Sequence, residues 1–374
     1  MEQKQLEAVR DKIAPEFQTE GKLTEVIPFG SGHINDTYRM TCVLEDGRTK
    51  RYILQRMNHE IFKNPRELME NVIHVTSFLR KKIIAGGGDP DRETLNVIKT
   101  KSGDNYLTDA DGDYFRVYLF IEDATSFDAV EKPEDFYNSA LSFGNFQKLL
   151  ADYPAETLYE TIVNFHNTVS RFADFKKAVE ADVCGRAEEV REEIKFVLDR
   201  EADTHVICDA LAQKKIPLRV THNDTKLNNI MIDNRTGKGL CVIDLDTVMP
   251  GSALYDYGDS IRFGANTGAE DEKDLDKIGL DMDLFGIYTK GYLEGCGGSL
   301  TKEETELLPM GAKLMTFECG MRFLADYLQG DIYFKIHRPE HNLDRCRTQF
   351  KLVADMESKW EQMRETVQKY SQDI

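Results

Sequence analysis

Val220-Thr221-His222-Asn223-Asp224-Thr225-Lys226-Leu227-Asn228-Asn229-Ile230-Met231-Ile232-Asp233 is answered, one short hairpin later, by Leu240-Cys241-Val242-Ile243-Asp244-Leu245-Asp246. The first stretch is a polar loop that runs into an apolar strand over residues 230–232. A turn over 234–239 follows, and a second apolar strand delivers Asp244. This spacing presents a carboxylate at Asp224, an amide at Asn229 and a second carboxylate at Asp244. Transfer of a phosphoryl group from a nucleotide asks for such a set. One carboxylate sits beside the attacking hydroxyl, while an amide and a carboxylate hold Mg²⁺ against the phosphates. A His-x-Asp alone is more often an ordinary capped loop; Asn229 and Ile243-Asp244 at this spacing set it apart.

Working outward, 374 residues suffice for one large bilobal unit or two domains with a sizeable core. The 41% hydrophobic and 30% charged content is that of a soluble globular protein. Lys and Arg number 48 against 66 Asp and Glu, a net charge of −18. That balance argues against a nucleic acid or an anionic membrane as partner, since both reward basic side chains. It also repels nucleotide, so a phosphate site must be made locally positive, as Mg²⁺ would do. Seven scattered cysteines with no CxxC pair fit the reduced thiols of a cytoplasm rather than a disulfide framework. Residues 1–12 lack the apolar core of a signal peptide, and no run approaches the roughly 20 apolar residues of a membrane span. The expectation is a soluble cytoplasmic protein with no obligate protein partner evident.

The hydropathy pattern predicts α+β architecture. Strands are predicted over residues 24–29, 35–44, 51–57, 95–100 and 114–121, with one helix over 65–84 between the third and fourth. Residues 122–126 change character and read as a hinge. Helices are predicted over 133–151, 158–181, 186–214, 253–263, 284–294, 302–328 and 340–370, and an acidic loop over 268–283. The domain division expected is residues 1–122 and 123–374.

His222-x-Asp224 with Asn229 and Ile243-Asp244 resembles the catalytic and metal loops of the aminoglycoside phosphotransferase and choline kinase family, which shares the protein-kinase-like fold. Phe29-Gly30-Ser31-Gly32-His33-Ile34-Asn35, Tyr52-Ile53-Leu54-Gln55-Arg56-Met57-Asn58, Leu68-Met69-Glu70-Asn71 and the string from Val242 to Gly251 extend the resemblance. They are similar to the N-acetylhexosamine 1-kinases, over roughly residues 20 to 360. The resemblance implies a bilobal kinase-like fold: a small five-stranded antiparallel N-lobe with one helix that binds nucleotide, and a large, mainly helical C-lobe with the catalytic loop and sugar site. It implies ATP and Mg²⁺, and phosphorylation of the anomeric hydroxyl of N-acetylglucosamine or N-acetylgalactosamine.

On that basis Asp224 orients the acceptor hydroxyl and takes its proton late. Asn229 and Asp244 hold the metal. Gly30, Ser31 and Gly32 cover the phosphates, their glycines letting backbone approach, and Ile121 lines the nucleotide at the end of its strand. No Gly-Lys-Ser/Thr follows, which excludes a Walker-type loop. His33, Phe263, Arg322 and Asp246 are placed around the sugar; for Asp246 a second metal contact and a structural role stay open. Lys226 is either a phosphate contact or a solvated lysine. His222 supports the loop from beneath, and Asp256 bonds the catalytic-loop backbone. Gln55 stands where protein kinases carry a strand lysine, with Arg56 next. Strand residues alternate faces, so one of the two points at nucleotide. Arg56, with Glu70 as partner, is the choice because it brings charge and a planar fork.

Other readings stay open at this stage. The acceptor could be homoserine, choline, an aminoglycoside or another hexose. A pseudokinase scaffold has the missing strand lysine as its one support. A protein kinase is disfavoured, since neither Asp-Phe-Gly nor Ala-Pro-Glu follows Asp244.

Overall fold

The computed structural model describes residues 3–30, 34–127 and 132–372. The chain forms two compact units, Met1–Thr125 with Met231–Val248, and Ser126–Ile230 with Met249–Ile374. The hairpin that carries Asp244 thus clusters with the first unit, whereas the catalytic loop belongs to the second.

In the first unit α1 (Gln3–Ala8) leads into a π-turn at Val9–Ile13. An antiparallel sheet follows, built from β1 (Lys22–Pro28), β2 (Asp36–Val43), β3 (Thr49–Met57), β4 (Val97–Ile98), β5 (Leu107–Thr108) and β6 (Tyr114–Leu119). Its order is β1-β2-β3-β6-β4, with β5 also on β6. Alternation puts Tyr38, Met40, Tyr52, Leu54, Phe115 and Val117 on one face, where they bury Val9, Ile13 and Phe17. The opposite face of β3 and β6 meets α2 (Pro65–Ala85), where Met69 Sδ lies 3.9 Å from Arg116 Nη1. Asn64 caps α2, and Leu68, Val72, Val75 and Leu79 form its buried stripe at three- and four-residue spacing. The strand β5 was not foreseen, because two residues are too short to show alternation. A short helix, α3 (Pro90–Glu93), precedes β4. The expected hinge forms β7 (Ala124–Thr125), which pairs with β9 (Ile230–Asp233); β9 in turn pairs with β10 (Gly239–Val242).

The second unit is helical: α4 (Pro133–Leu149), α5 (Thr168–Ala181), α6 (Arg191–Leu198), α7 (Glu201–Ala212), α8 (Ala253–Gly264), α9 (Met282–Cys296), α10 (Lys302–Glu306), α11 (Leu308–Gln329), α12 (His341–Ser358) and α13 (Trp360–Ser371). A ribbon of β8 (Arg219–Thr221) and β11 (Met249–Gly251) completes it. Four predicted helices are interrupted. The helix expected from residue 158 starts at Thr168, where the Asn167 side chain accepts the Ser170 amide. Pro309 opens α11 and divides it from α10. The segments 186–214 and 340–370 break near Arg200 and Lys359. Apolar periodicity runs across such breaks, so the sequence shows one helix where the backbone makes two. Among the described residues no helix is long and apolar enough to cross a membrane. All seven cysteines are free.

Candidate functional site

The loop that carries Asp224 is held from below by α8. Asp256, 1% exposed, accepts the His222 amide at 3.0 Å and the Asn223 amide at 2.8 Å. Gln147 donates both to Asp256 Oδ2 (2.8 Å) and to the Val220 carbonyl (3.0 Å), joining α4 to the same point. Burial pushes the Asp256 pKa above the usual carboxylate range, although His222, the two amides and Gln147 favour the charged form. One turn on, Asp259 accepts the Thr225 amide at 3.2 Å, and Ser260 Oγ donates to the Thr225 carbonyl at 2.9 Å. Burial opposes charge on Asp259, but Arg262 and Lys226 outweigh it and hold the carboxyl below its ordinary range.

His222 is fully buried against the edges of Phe143 and Phe146, and its Nδ1 accepts the Asp224 amide at 3.3 Å. That bond puts the imidazole in support of the loop. The loop then exposes Asp224, whose side chain is 28% accessible, with Lys226 Nζ 2.8 Å from Oδ1. Asp224 raises the Lys226 pKa against the burial that opposes it. Asn229 Nδ2 donates to the Asp224 carbonyl at 2.7 Å and to Oδ2 at 3.2 Å. With its nitrogen so committed, Asn229 has its carbonyl oxygen to offer, the donor type a hard cation takes. Asn223 is held at φ 65°, in the left-handed region that non-glycine residues rarely adopt.

In the other unit Asp244 lies two residues beyond β10 at φ 58°, also left-handed, and a 3₁₀ turn over Leu245–Thr247 follows. Asn71 on α2 donates to the Val248 carbonyl at 3.0 Å and fixes the exit of that loop. Asp246 is 3% exposed. Its Oδ2 accepts from Asn35 Nδ2 at 2.7 Å, and its Oδ1 lies 2.5 Å from Arg116 Nη1. Burial opposes charge on Arg116, but Asp246, Tyr118 and Asp244 raise its pKa above the ordinary arginine value.

Arg56 departs from expectation. It is ion-paired with Asp36 (2.6 Å) and Asp113 (3.0 Å), and Glu70 receives Arg66 instead. Strand parity explains this. Arg56 shares its side of β3 with Leu54 and Tyr52, whereas Gln55 shares the side of Arg116, towards α2. Ile121 is 7% exposed just beyond β6. Gly30 takes φ 80°, and the neighbouring Phe29 ring meets Phe120 edge-on at 5.8 Å. Ser31, Gly32 and His33 lie outside the described residues.

Arg322 on α11 lies among aromatic faces, its guanidinium 5.6 Å from the Phe165 ring, 5.8 Å from Tyr333 and 5.4 Å from Phe334. Its Nη1 is 3.7 Å from Glu318, whose carboxylate also meets His166 Nδ1 at 3.1 Å. Burial would raise the Glu318 pKa, but His166, Arg322 and Arg171 hold it below the usual value. His166 lines a cavity of about 210 Å³ together with Tyr255, Met249 and Asn223, so this charged cluster adjoins the loop that carries Asp224. Phe263 is 39% exposed on α8. Sequence reasoning missed Arg116, Glu318, His166 and Tyr333. Glu318 and Arg322 stand four apart on one helix and could have been paired; Arg116 carries no local signal.

A family model described as "Phosphotransferase enzyme family" matches residues 25–283. Among solved structures the chain is similar to a microcompartment-associated aminopropanol kinase, at 15% identity and TM-score 0.59, covering 94% of this chain and 96% of that one. It is similar to choline kinase from Cryptosporidium parvum at 14% identity and TM-score 0.54, covering 90% of each chain. A spectinomycin phosphotransferase in complex with ADP and spectinomycin aligns at 12% identity and TM-score 0.54, over 96% of this chain and 98% of that one. An antiparallel sheet unit and a helical unit accord with those matches, and the chain belongs to the phosphotransferase enzyme family.

Proposed function

We propose that this phosphotransferase is an ATP- and Mg²⁺-dependent kinase of an N-acetylhexosamine, transferring the γ-phosphoryl group to the anomeric hydroxyl of N-acetylglucosamine or N-acetylgalactosamine. The observation that carries the kinase reading is Asp224, partly exposed, with Asn229 bonded to it and α8 fixing the loop beneath. Asp224 orients the acceptor hydroxyl and takes its proton as the new O–P bond forms. Asn229 and Asp244 are the residues that would hold magnesium. The ion they would hold would supply positive charge against the phosphates. Lys226 adds a cation beside Asp224.

The acceptor assignment rests on the resemblance together with the Arg322 cluster. A guanidinium among Phe165, Tyr333 and Phe334 suits a neutral ring that offers hydroxyl and amide oxygens on one side and C–H faces on the other. It opposes a cation such as choline or an aminoglycoside, because Arg171 stands close by in the same field. The second reading keeps the reaction and changes the acceptor to homoserine, choline, an aminoglycoside or another hexose. The named activities of the similar structures favour it.

The test is an ATP-consumption screen over these acceptors with Mg²⁺, followed by ³¹P NMR to locate the phosphate. The expected product is an N-acetylhexosamine 1-phosphate. Turnover confined to amino alcohols or aminoglycosides would establish the second reading, and phosphate on a hydroxyl other than the anomeric one would overturn the first.

A further inference from the structure

Gln55 occupies the strand position that the protein-kinase pattern reserves for lysine, and its contacts show what it does there. β3 and β6 run antiparallel with Gln55 opposite Arg116. Gln55 Oε1 accepts from Arg116 Nε at 3.0 Å and from Nη2 at 2.8 Å, while Gln55 Nε2 donates to Thr37 Oγ1 at 3.1 Å. The amide has one orientation that satisfies both neighbours, oxygen toward the guanidinium and nitrogen toward the hydroxyl. Two edges of the fork are thereby fixed, and Nη1 is left directed at Asp246, 2.5 Å from Oδ1.

This arrangement is costly. The Arg116 side chain is 1% exposed and that of Asp246 is 4% exposed. Both groups must leave water to meet, and that desolvation offsets much of their attraction. An apolar pair of similar volume would serve stability as well or better. The charge instead lies where it matters for phosphate chemistry, two residues from Asp244, whose carboxylate contributes to the field on Arg116. The other oxygen of Asp246 is held by Asn35, whose own Oδ1 accepts the Asn58 amide at 2.9 Å. Asp246 is therefore fixed on both sides by groups of the same unit.

We propose that Arg116, aimed by Gln55, is a positioning residue for the metal loop: it supplies from β6 the cation that kinases usually carry on β3, and sets Asp244 through Asp246. This rests on the reading of Asp244 as a magnesium ligand in nucleotide binding. It inverts the meaning of the missing lysine. Gln55 is then the acceptor that this arginine requires, and a lysine there would set an ammonium against a buried guanidinium.

The test measures ADP affinity by calorimetry with and without Mg²⁺ on the full chain, for wild type, Arg116→Gln, Gln55→Lys and the double variant Gln55→Lys/Arg116→Gln. Circular dichroism confirms folding of each. A role confined to stability would lower the melting temperature and leave the Mg²⁺-dependent gain in ADP affinity intact. Positioning predicts that each single variant loses about 10–100-fold of that gain, the usual scale for a residue that orients a metal ligand. The double variant, with one cation restored at the site, is expected to recover most of it. An unchanged gain in a folded Arg116→Gln overturns the proposal. Should that variant not fold, a gain unchanged in Gln55→Lys does the same. A wild type that binds ADP with no Mg²⁺ dependence removes the metal-loop reading itself, and this inference with it; a Mg²⁺-dependent wild type with unaffected variants removes the inference alone.

Discussion

Asp256 Oδ1 accepts the backbone amide of Asn223 at 2.8 Å, from the first turn of α8 and 33 positions further along the chain. Its other oxygen takes the His222 amide, so one buried carboxylate sets the backbone on the N-terminal side of Asp224. Asp256→Ala leaves two buried N–H groups and the Gln147 amide without this acceptor. The expected loss is about 2–5 kcal/mol of stability, with kcat falling more than the KM for ATP. Urea unfolding and steady-state kinetics check it; wild-type stability would show that the loop is held by other groups.

Asp224→Asn keeps the shape of the side chain and removes the proton acceptor. Turnover is expected to fall about 10²–10⁴-fold, with nucleotide affinity unchanged within error. Calorimetry with ADP and a rate assay separate the two quantities. An unaltered kcat would end the assignment of Asp224 as base.

Glu318 gives a pH dependence of definite sign. Its pKa is depressed in the folded chain below the ordinary 4.5 by His166, Arg322 and Arg171, against the burial that raises it. A depressed carboxyl stabilises above its unfolded value and loses that contribution as pH falls through the folded value. Glu318→Gln should therefore be less stable than wild type at pH 7, by about 1–3 kcal/mol. The gap should narrow as the pH drops below about 4.5. Thermal unfolding from pH 7 to pH 3 measures it; a gap constant across that range contradicts the depressed pKa.

Gly258 lies on α8 where α11 crosses it closely. A Cβ there would stand 2.3 Å from the Gly311 carbonyl and 2.6 Å from Met315 Cγ. Gly258→Ala is expected to destabilise by about 1–3 kcal/mol and to lower kcat, because α8 carries Asp256 and Asp259. Gly286→Ala on α9, where the nearest atom is 3.7 Å away, is the control, expected neutral or slightly stabilising. Equal melting temperatures for the two variants would show that α8 can shift without cost.

Much of the fold was legible because it is written locally. Apolar spacing over residues 65–84 announces α2, and alternation over β2 and β3 announces their buried face. The helix breaks at Asn167 and Lys359 were not, because an apolar stripe continues through a kink that capping and packing decide. The expected pairing of Arg56 with Glu70 is not met, for a related reason. Charge suggested one residue, whereas the side of β3 facing α2 belongs to the other.

By itself the sequence determined the loop-strand-turn-strand run that spaces Asp224, Asn229 and Asp244, and the sheet and helical segments around it. Short-range backbone geometry is enough to order residues that lie within some two dozen positions of one another. Only the tertiary structure decided that Gln55 aims Arg116 across 61 residues and that Glu318 gathers His166 across 152. A buried charge finds its partner by strand register and helix packing, and neither is recorded in the local pattern of either residue.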